Sequence, residues 1–242
     1  MPTYTLTPAQ LRGAGIYNSF EIPAGGGSSF TNTYSFRLDG TNTNLTSTSM
    51  PSSVFGGDFT VSCWVRQPGF GGVRIIWDTG SSTSLRLDGG RISYLTPSRI
   101  LLTPTTGEYD DDTWHNIVIV FKNTTNKKEI WADGQLVLFT DNIVSYPVTL
   151  TGFNFTIGNT FFGYIDELAI WSSALTSTQI PTIYNDGVAG DLTPLNPVTW
   201  YRMGDEATWD GLQWSVPDQG SGGYDAVSNN AAENDREENV PS

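Results

Sequence analysis

Lys128-Glu-Ile-Trp-Ala-Asp-Gly-Gln-Leu-Val-Leu-Phe139 sets the pair Asp133-Gly134 between two apolar runs. An Asp-Gly step readily adopts the two positive-φ positions of a tight hairpin turn, so this stretch predicts two antiparallel strands. Just upstream, Trp114-His-Asn-Ile-Val-Ile-Val-Phe121 reads as a third. Toward the N-terminus, Tyr34, Phe36 and Leu38 alternate with Ser35 and Arg37, and Phe59, Val61, Cys63 and Val65 alternate with Thr60, Ser62 and Trp64. The segments Ile75–Trp77, Ser84–Leu87 and Arg91–Leu95 follow, parted by Gly-rich turns; Phe153–Ile157, Gly163–Trp171 and Val198–Met203 come later. A period of two buries one face of each strand, and short strands at this spacing predict an all-β, two-sheet antiparallel sandwich. Helix is confined to Thr176–Asn185, which Pro181 limits to about two turns.

Composition fits that reading. Of 242 residues, 15% are charged, well below the roughly 25% of an average soluble chain. Turn formers abound, with 26 Gly and 13 Pro. The formal net charge of −13 repels phosphate backbones and anionic lipid surfaces, so neither nucleic acid nor membrane is an expected partner. No run of about 18 apolar residues is present. Met1-Pro-Thr-Tyr-Thr-Leu6 lacks the basic and apolar regions of a signal peptide, so synthesis in a cytoplasm is expected. The lone Cys63 cannot close an intrachain disulfide.

Three regions are expected. Residues 1–33 form an N-terminal arm with a linker, Ala24-Gly-Gly-Gly-Ser-Ser29. Its Ile16, Tyr17, Phe20 and Ile22 are more apolar than a free tail requires, which points to a segment that docks on a neighbour. Residues 34–203 hold the sandwich. Residues 204–242 are expected to be an irregular extension ending in an acidic, solvated tail at Glu233–Glu238.

Five motifs in order carry a family resemblance: Tyr34-Ser-Phe-Arg-Leu-Asp-Gly40, Phe59-Thr-Val-Ser-Cys-Trp-Val65, Trp114-His-Asn-Ile-Val-Ile-Val120, Ile130-Trp-Ala-Asp-Gly-Gln-Leu-Val137 and Phe162-Gly-Tyr-Ile-Asp-Glu-Leu-Ala-Ile-Trp171 with Ala174-Leu-Thr176. Together they resemble the laminin G-like, concanavalin A-like lectin/glucanase jelly-roll family in its pentraxin-related branch. The resemblance implies a jelly-roll sandwich and binding rather than catalysis. It also implies a structural calcium ion in some members, at positions that Asp39 and Asp166 match, with Asn42 and Asn44 able to add amide oxygens. Those turns carry no Asp-x-Asp run.

The residue inventory argues against an enzyme. His115 is the sole histidine, and no Gly-x-Ser-x-Gly elbow is present. Glucanases of this fold set paired acids two apart on one strand face; here Asp166 and Glu167 are adjacent, which points them to opposite faces. For glycan contact the candidates are Trp209, Trp214 and Tyr224, outside the main strands, with packing of the extension against the sandwich as the alternative. Trp64, Trp77, Trp114, Trp131, Trp171 and Trp200 are expected in the core.

A lectin-like domain without an export signal, disulfides or many lysines resembles phage structural proteins carrying this domain, including around Met203-Gly-Asp205. The expected function is therefore a non-catalytic virion component, a capsid decoration or tail appendage on the particle surface. Its arm would bind other virion proteins and build a homo-oligomer. The alternative is a module that recognises a host-surface glycan.

Overall fold

A computed structural model describes residues 30–47, 49–69, 71–80, 83–95, 101–102, 104, 107–140 and 154–242. Ile16, Tyr17, Phe20 and Ile22 of the arm lie outside the described residues. The sandwich is the unit Asn32–Ser242.

Its first sheet is built on β1 (Ser35–Asp39), β3 (Phe59–Arg66), β8 (Trp114–Lys122), β9 (Lys127–Ala132), β10 (Gln135–Thr140) and β12 (Phe162–Trp171). These run in the order β10-β9-β8-β3-β12-β1 and end on β17 (Arg236–Glu237), while β13 (Thr199–Tyr201) pairs β12 off that path. The second sheet contains β2 (Asn44–Ser47), β4 (Val73–Asp78), β5 (Ser84–Asp88), β6 (Arg91–Leu95), β7 (Leu101–Leu102) and β11 (Phe155–Ile157). It is extended by β14 (Thr208–Trp209), β15 (Trp214–Val216) and β16 (Ala226–Asn229), in the order β14-β15-β16-β2-β11-β4-β5-β6-β7. All the ladders between named strands are antiparallel. The predicted hairpin joins β9 to β10, with Asp133 and Gly134 at φ 50° and 73°.

Side chains of period two from both sheets meet in the core: Phe36, Leu38, Val61, Val65, Ile117, Ile119 and Ile165 from the first, Leu45, Trp77, Leu85, Leu87, Tyr94 and Phe155 from the second. The first sheet has a second buried face. Trp64, Val118, Trp171 and Trp200 are buried but lie outside the core between the sheets. The segment after β12 covers them. Its short helix α1 (Ile180–Tyr184) buries Ile180 and Ile183, Tyr184 stacks on Trp64 at 5.8 Å, and the Trp171 Nε1–H donates to the Leu195 carbonyl at 3.0 Å. Pro181 fits because it sits in the first helical turn, where its missing N–H is not needed.

The C-terminal region departs from expectation. It is irregular between its short strands, yet it is not a solvated tail. β14–β16 lengthen the second sheet and β17 caps the first, pairing Phe36 with Arg236. The acids find partners that composition alone hides: Asp235 accepts the Ala232 N–H at 2.8 Å and a bond from Arg37 at 3.2 Å. Arg236 lies over the Tyr34 ring at 3.6 Å.

Two charge clusters are set into the sandwich. At the rim, His115 Nδ1 meets Asp133 at 2.8 Å and Nε2 meets Asp111 at 3.1 Å. Burial opposes charge on the ring, but the two carboxylates outweigh it and raise the pKa above its usual value. In β12 a bulge between Asp166 and Ala169, with Glu167 at φ 47°, breaks the alternation that would have sent Asp166 and Glu167 to opposite faces. Both acids are buried and share one cluster. Asp166 accepts from Asn32 Nδ2 at 2.9 Å, and Glu167 pairs with Arg202, which also holds Asp205. Burial raises the Asp166 pKa, and the Glu167 charge adds to it. Burial likewise pushes Glu167 up to about 7, against the pull of Arg202 and the Trp200 indole.

Both clusters make stability fall as pH rises. His115 contributes fully below its unfolded pKa of 6.5 and loses that contribution as pH passes its raised folded value. Glu167 binds its proton more tightly folded than unfolded, so it destabilises progressively between 4.5 and about 7. Thermal melts should therefore show Tm declining from about pH 5 to 8, and Glu167→Gln should flatten the acidic half of that slope. An unchanged slope would remove Glu167 from the account. Trp214 gives a second test: truncating a buried tryptophan costs about 3–5 kcal/mol, so urea unfolding of Trp214→Ala should move by that amount and that of Trp209→Ala by clearly less.

Candidate functional site

The burial pattern of β12 locates an opening. Its second half, from Ile165 to Trp171, is buried throughout, whereas Phe162 and Tyr164 in its first half are only half-buried. The covering segment thus stops short of this end of the first sheet. In β3 the change comes at Arg66, after seven buried residues. Since Phe36, Leu38, Val65 and Ile165 point into the core, Arg37, Tyr164 and Arg66 must point outward.

The register sets these residues side by side. Arg37 pairs with Tyr164, Tyr164 with Arg66, and Arg66 with Trp114 across β1, β12, β3 and β8. At ordinary strand spacing the row spans about 14 Å. A cleft of about 390 Å³ opens over it, lined by Arg37, Asp39, Arg66, Asp112, Phe162 and Tyr164 among others. Its floor depends on Gly163, at φ 139°, where an added Cβ would stand 2.2 Å from the Arg66 carbonyl oxygen. The Arg66 guanidinium lies 5.7 Å from the Tyr164 ring centre, and its Nε donates to Asp112 Oδ1 at 3.0 Å. Asp39 Oδ1 accepts the N–H groups of Thr41, Asn42 and Thr43 at 2.9–3.1 Å. Burial alone would raise its pKa, but these bonds and the Thr41 hydroxyl hold it well below the carboxylate range. Chemically, the cleft offers a ring face between guanidinium donors and carboxylate acceptors, on paired strands except for Asp112, which comes from the bend before β8.

The residues singled out from sequence are dispersed. Asp39 pairs with Phe162, and Asp166 lies four residues further along β12, about 13 Å away at the strand rise. Asn44 Oδ1 accepts from Thr46 and Asn229, and the Asn42 carbonyl from Asn44 and Asn230. The four are not brought into one shell, and among the described residues no three His, Cys, Asp or Glu side chains group as a metal site. Trp214 is 4% exposed, edge-on to Phe36 at 5.6 Å, with its Nε1–H donated to the Ala232 carbonyl. It has no face for a sugar. Trp209 and Tyr224 are half-buried against the core, and Trp209 tilts on Trp214 at 5.5 Å. Of the six tryptophans expected in the core, Trp77 lies between the sheets, Trp64, Trp131, Trp171 and Trp200 are buried outside that core, and Trp114 is half-buried on the outer row. Nothing in the sequence alone singles out Arg37, Arg66 and Tyr164. Their signal is their outward position on alternating strands, but cross-strand register is needed to join them.

The family model described as "Concanavalin A-like lectin/glucanases superfamily" matches residues 38–181. No curated protein is similar enough in sequence to count as a relative. Among solved structures, a putative carbohydrate binding protein from Bacteroides ovatus superposes with TM-score 0.65 at 17% identity, over 83% of this chain and 59% of that one. This chain therefore spans little more than half the length of that protein. The SAP-like pentraxin of Limulus polyphemus gives TM-score 0.50 at 15% identity, over 65% of this chain and 84% of that one. The binding domain of botulinum neurotoxin serotype D gives 0.51 at 14% identity, covering 78% and 54%. At these identities the likeness shows the sandwich alone. Because the family model covers more than half of its length, this chain belongs to the concanavalin A-like lectin/glucanases superfamily.

Proposed function

We propose that the domain is a non-catalytic module that binds a neutral glycan in the cleft over Arg37, Tyr164 and Arg66. The observation that carries this reading is the Tyr164 ring, half-buried and framed by arginine donors and by the acceptors Asp39 and Asp112. Sugars present apolar C–H faces and hydroxyls that both donate and accept, and this set answers each. Guanidinium and carboxylate charges balance locally, while the net charge of −13 disfavours acidic glycans. The same groups argue against hydrolysis. A glycosidase needs an acid whose pKa is raised, yet Asp39 in the cleft is held ionised, and the raised acids Asp166 and Glu167 are buried beneath Arg202 and Trp200.

Titration calorimetry across a panel of neutral oligosaccharides checks the site. Tyr164→Ala should weaken binding about tenfold, the equivalent of ~1.4 kcal/mol, and Trp209→Ala should leave it unchanged. Loss through Trp209 alone would move the site to the second sheet.

The setting we propose is the surface of a phage particle, with residues 1–33 as anchor and oligomerisation arm. Their apolar Ile16, Tyr17, Phe20 and Ile22 support it. Quantitative mass spectrometry of purified particles should find this chain in fixed ratio to the shell protein; its absence would contradict the setting.

A further inference from the structure

One carbonyl oxygen sits where two donor-only groups of the outer row meet. Asn239 Oδ1 accepts from Arg66 Nη1 at 2.9 Å and from the Trp114 indole Nε1 at 3.1 Å. Arg66 and Trp114 are cross-strand partners on β3 and β8, and the Arg66 Nε is also held by the Asp112 carbonyl and carboxylate, independently of Asn239. Neither group can accept a hydrogen bond. They therefore select an acceptor, and a planar one suits two N–H groups arriving from adjacent strands. Beside them the Trp114 and Tyr164 rings lie 6.3 Å apart at 54°, an apolar wall next to the carbonyl.

The present occupant sits on a short C-terminal segment. Asn239 follows β17, a two-residue strand, and no residue from Glu238 onward is in a strand. Among the described residues, and apart from Asn239 itself, the contacts of this segment are the Tyr34 hydroxyl bond to Glu238 at 3.4 Å and the burial of Pro241. The side chain of asparagine is, beyond its Cα, an acetamide: a carbon, a carbonyl and an amide nitrogen. A 2-acetamido sugar carries the same carbon, carbonyl and nitrogen, joined to its ring through the nitrogen instead of the carbon. Arg66 joins the two places, because its Nε faces Asp112 in the cleft while its Nη1 holds Asn239.

We infer that Arg66 and Trp114 form a subsite for the acetamido group of an N-acetylated sugar, and that Asn239 fills it from within until such a ligand displaces it. This inference rests on the cleft being the glycan site. Displacement exchanges two hydrogen bonds to a carbonyl for two of the same kind, so it is close to neutral in hydrogen bonding. A tethered occupant nonetheless competes at high effective concentration. The intact chain should accordingly bind such sugars more weakly than a chain with the subsite cleared.

The probes are the trimer of N-acetylglucosamine and the matching glucose trimer, titrated by calorimetry into wild type, Asn239→Gly and a chain ending at Glu238. Thermal melts of the two altered chains check that the sandwich is intact, and the point variant serves should the truncation unfold. Asn239→Gly should bind the acetylated trimer about tenfold more tightly than wild type does and leave the glucose trimer unchanged. Arg66→Lys placed in the Asn239→Gly background should erase the difference between the trimers, since a lysine cannot hold the fork geometry. Equal gains for both trimers, or no gain for Asn239→Gly when the wild type binds other neutral glycans, would overturn the acetamido subsite and leave the cleft reading standing. Failure of every neutral glycan to bind any of the three chains would sink the cleft reading, and the subsite with it.

Discussion

Strand β12 carries the constraint on which the rest depends. It pairs with β3 along its length, and on its other side with β1 through Phe162–Ile165 and then with β13 through Leu168–Ile170. The bulge at Asp166–Ala169 separates the two halves. Beyond the bulge the strand is buried on both faces, as strands between two layers must be. Before it, one face is open, and polar and aromatic side chains stand where a second layer would otherwise need apolar ones. The cleft therefore lies at the uncovered end of a sheet whose centre is covered, and its place follows from where the segment after β12 stops.

This origin gives the cleft its physical character. Its ring, its two arginines and Asp39 stand on paired strands, and Asp112 alone comes from a bend, so a ligand docking there would require little ordering. Asp39 illustrates the same economy. Its carboxylate organises the turn after β1 through three backbone N–H groups and also lines the cleft. The C-terminal residues close the arrangement from the edge of the first sheet: Asp235 and Glu237 pair with Arg37, and Asn239 holds Arg66 and Trp114.

Much of the sandwich is readable from single strands, because alternation and turn chemistry are local. Asp133-Gly134 announces its hairpin, and the runs around Phe36, Val61 and Ile117 announce the faces they bury. What depends on register is not local. Tyr164 is one outward residue among several in β12 until Arg37 and Arg66 are known to flank it. Asp39 and Asp166 look like companions by motif and are separated by the same ladder that aligns Arg37 with Tyr164. Trp214 shows the converse: a tryptophan in a segment without strong periodicity reads as available, yet β15 turns it against Phe36. The acids near the C-terminus read as solvated because Arg37, the partner of Asp235, lies 198 residues away.

The central claim is that the open end of the first sheet is the ligand-facing surface. Chemical-shift mapping of the isotope-labelled protein, titrated with the tightest-binding neutral oligosaccharide, tests it without any mutation. The account predicts that the largest amide and indole shifts fall on Arg37, Asp39, Arg66, Trp114 and Tyr164. Shifts centred instead on Trp209 and the outer face of the second sheet would contradict it.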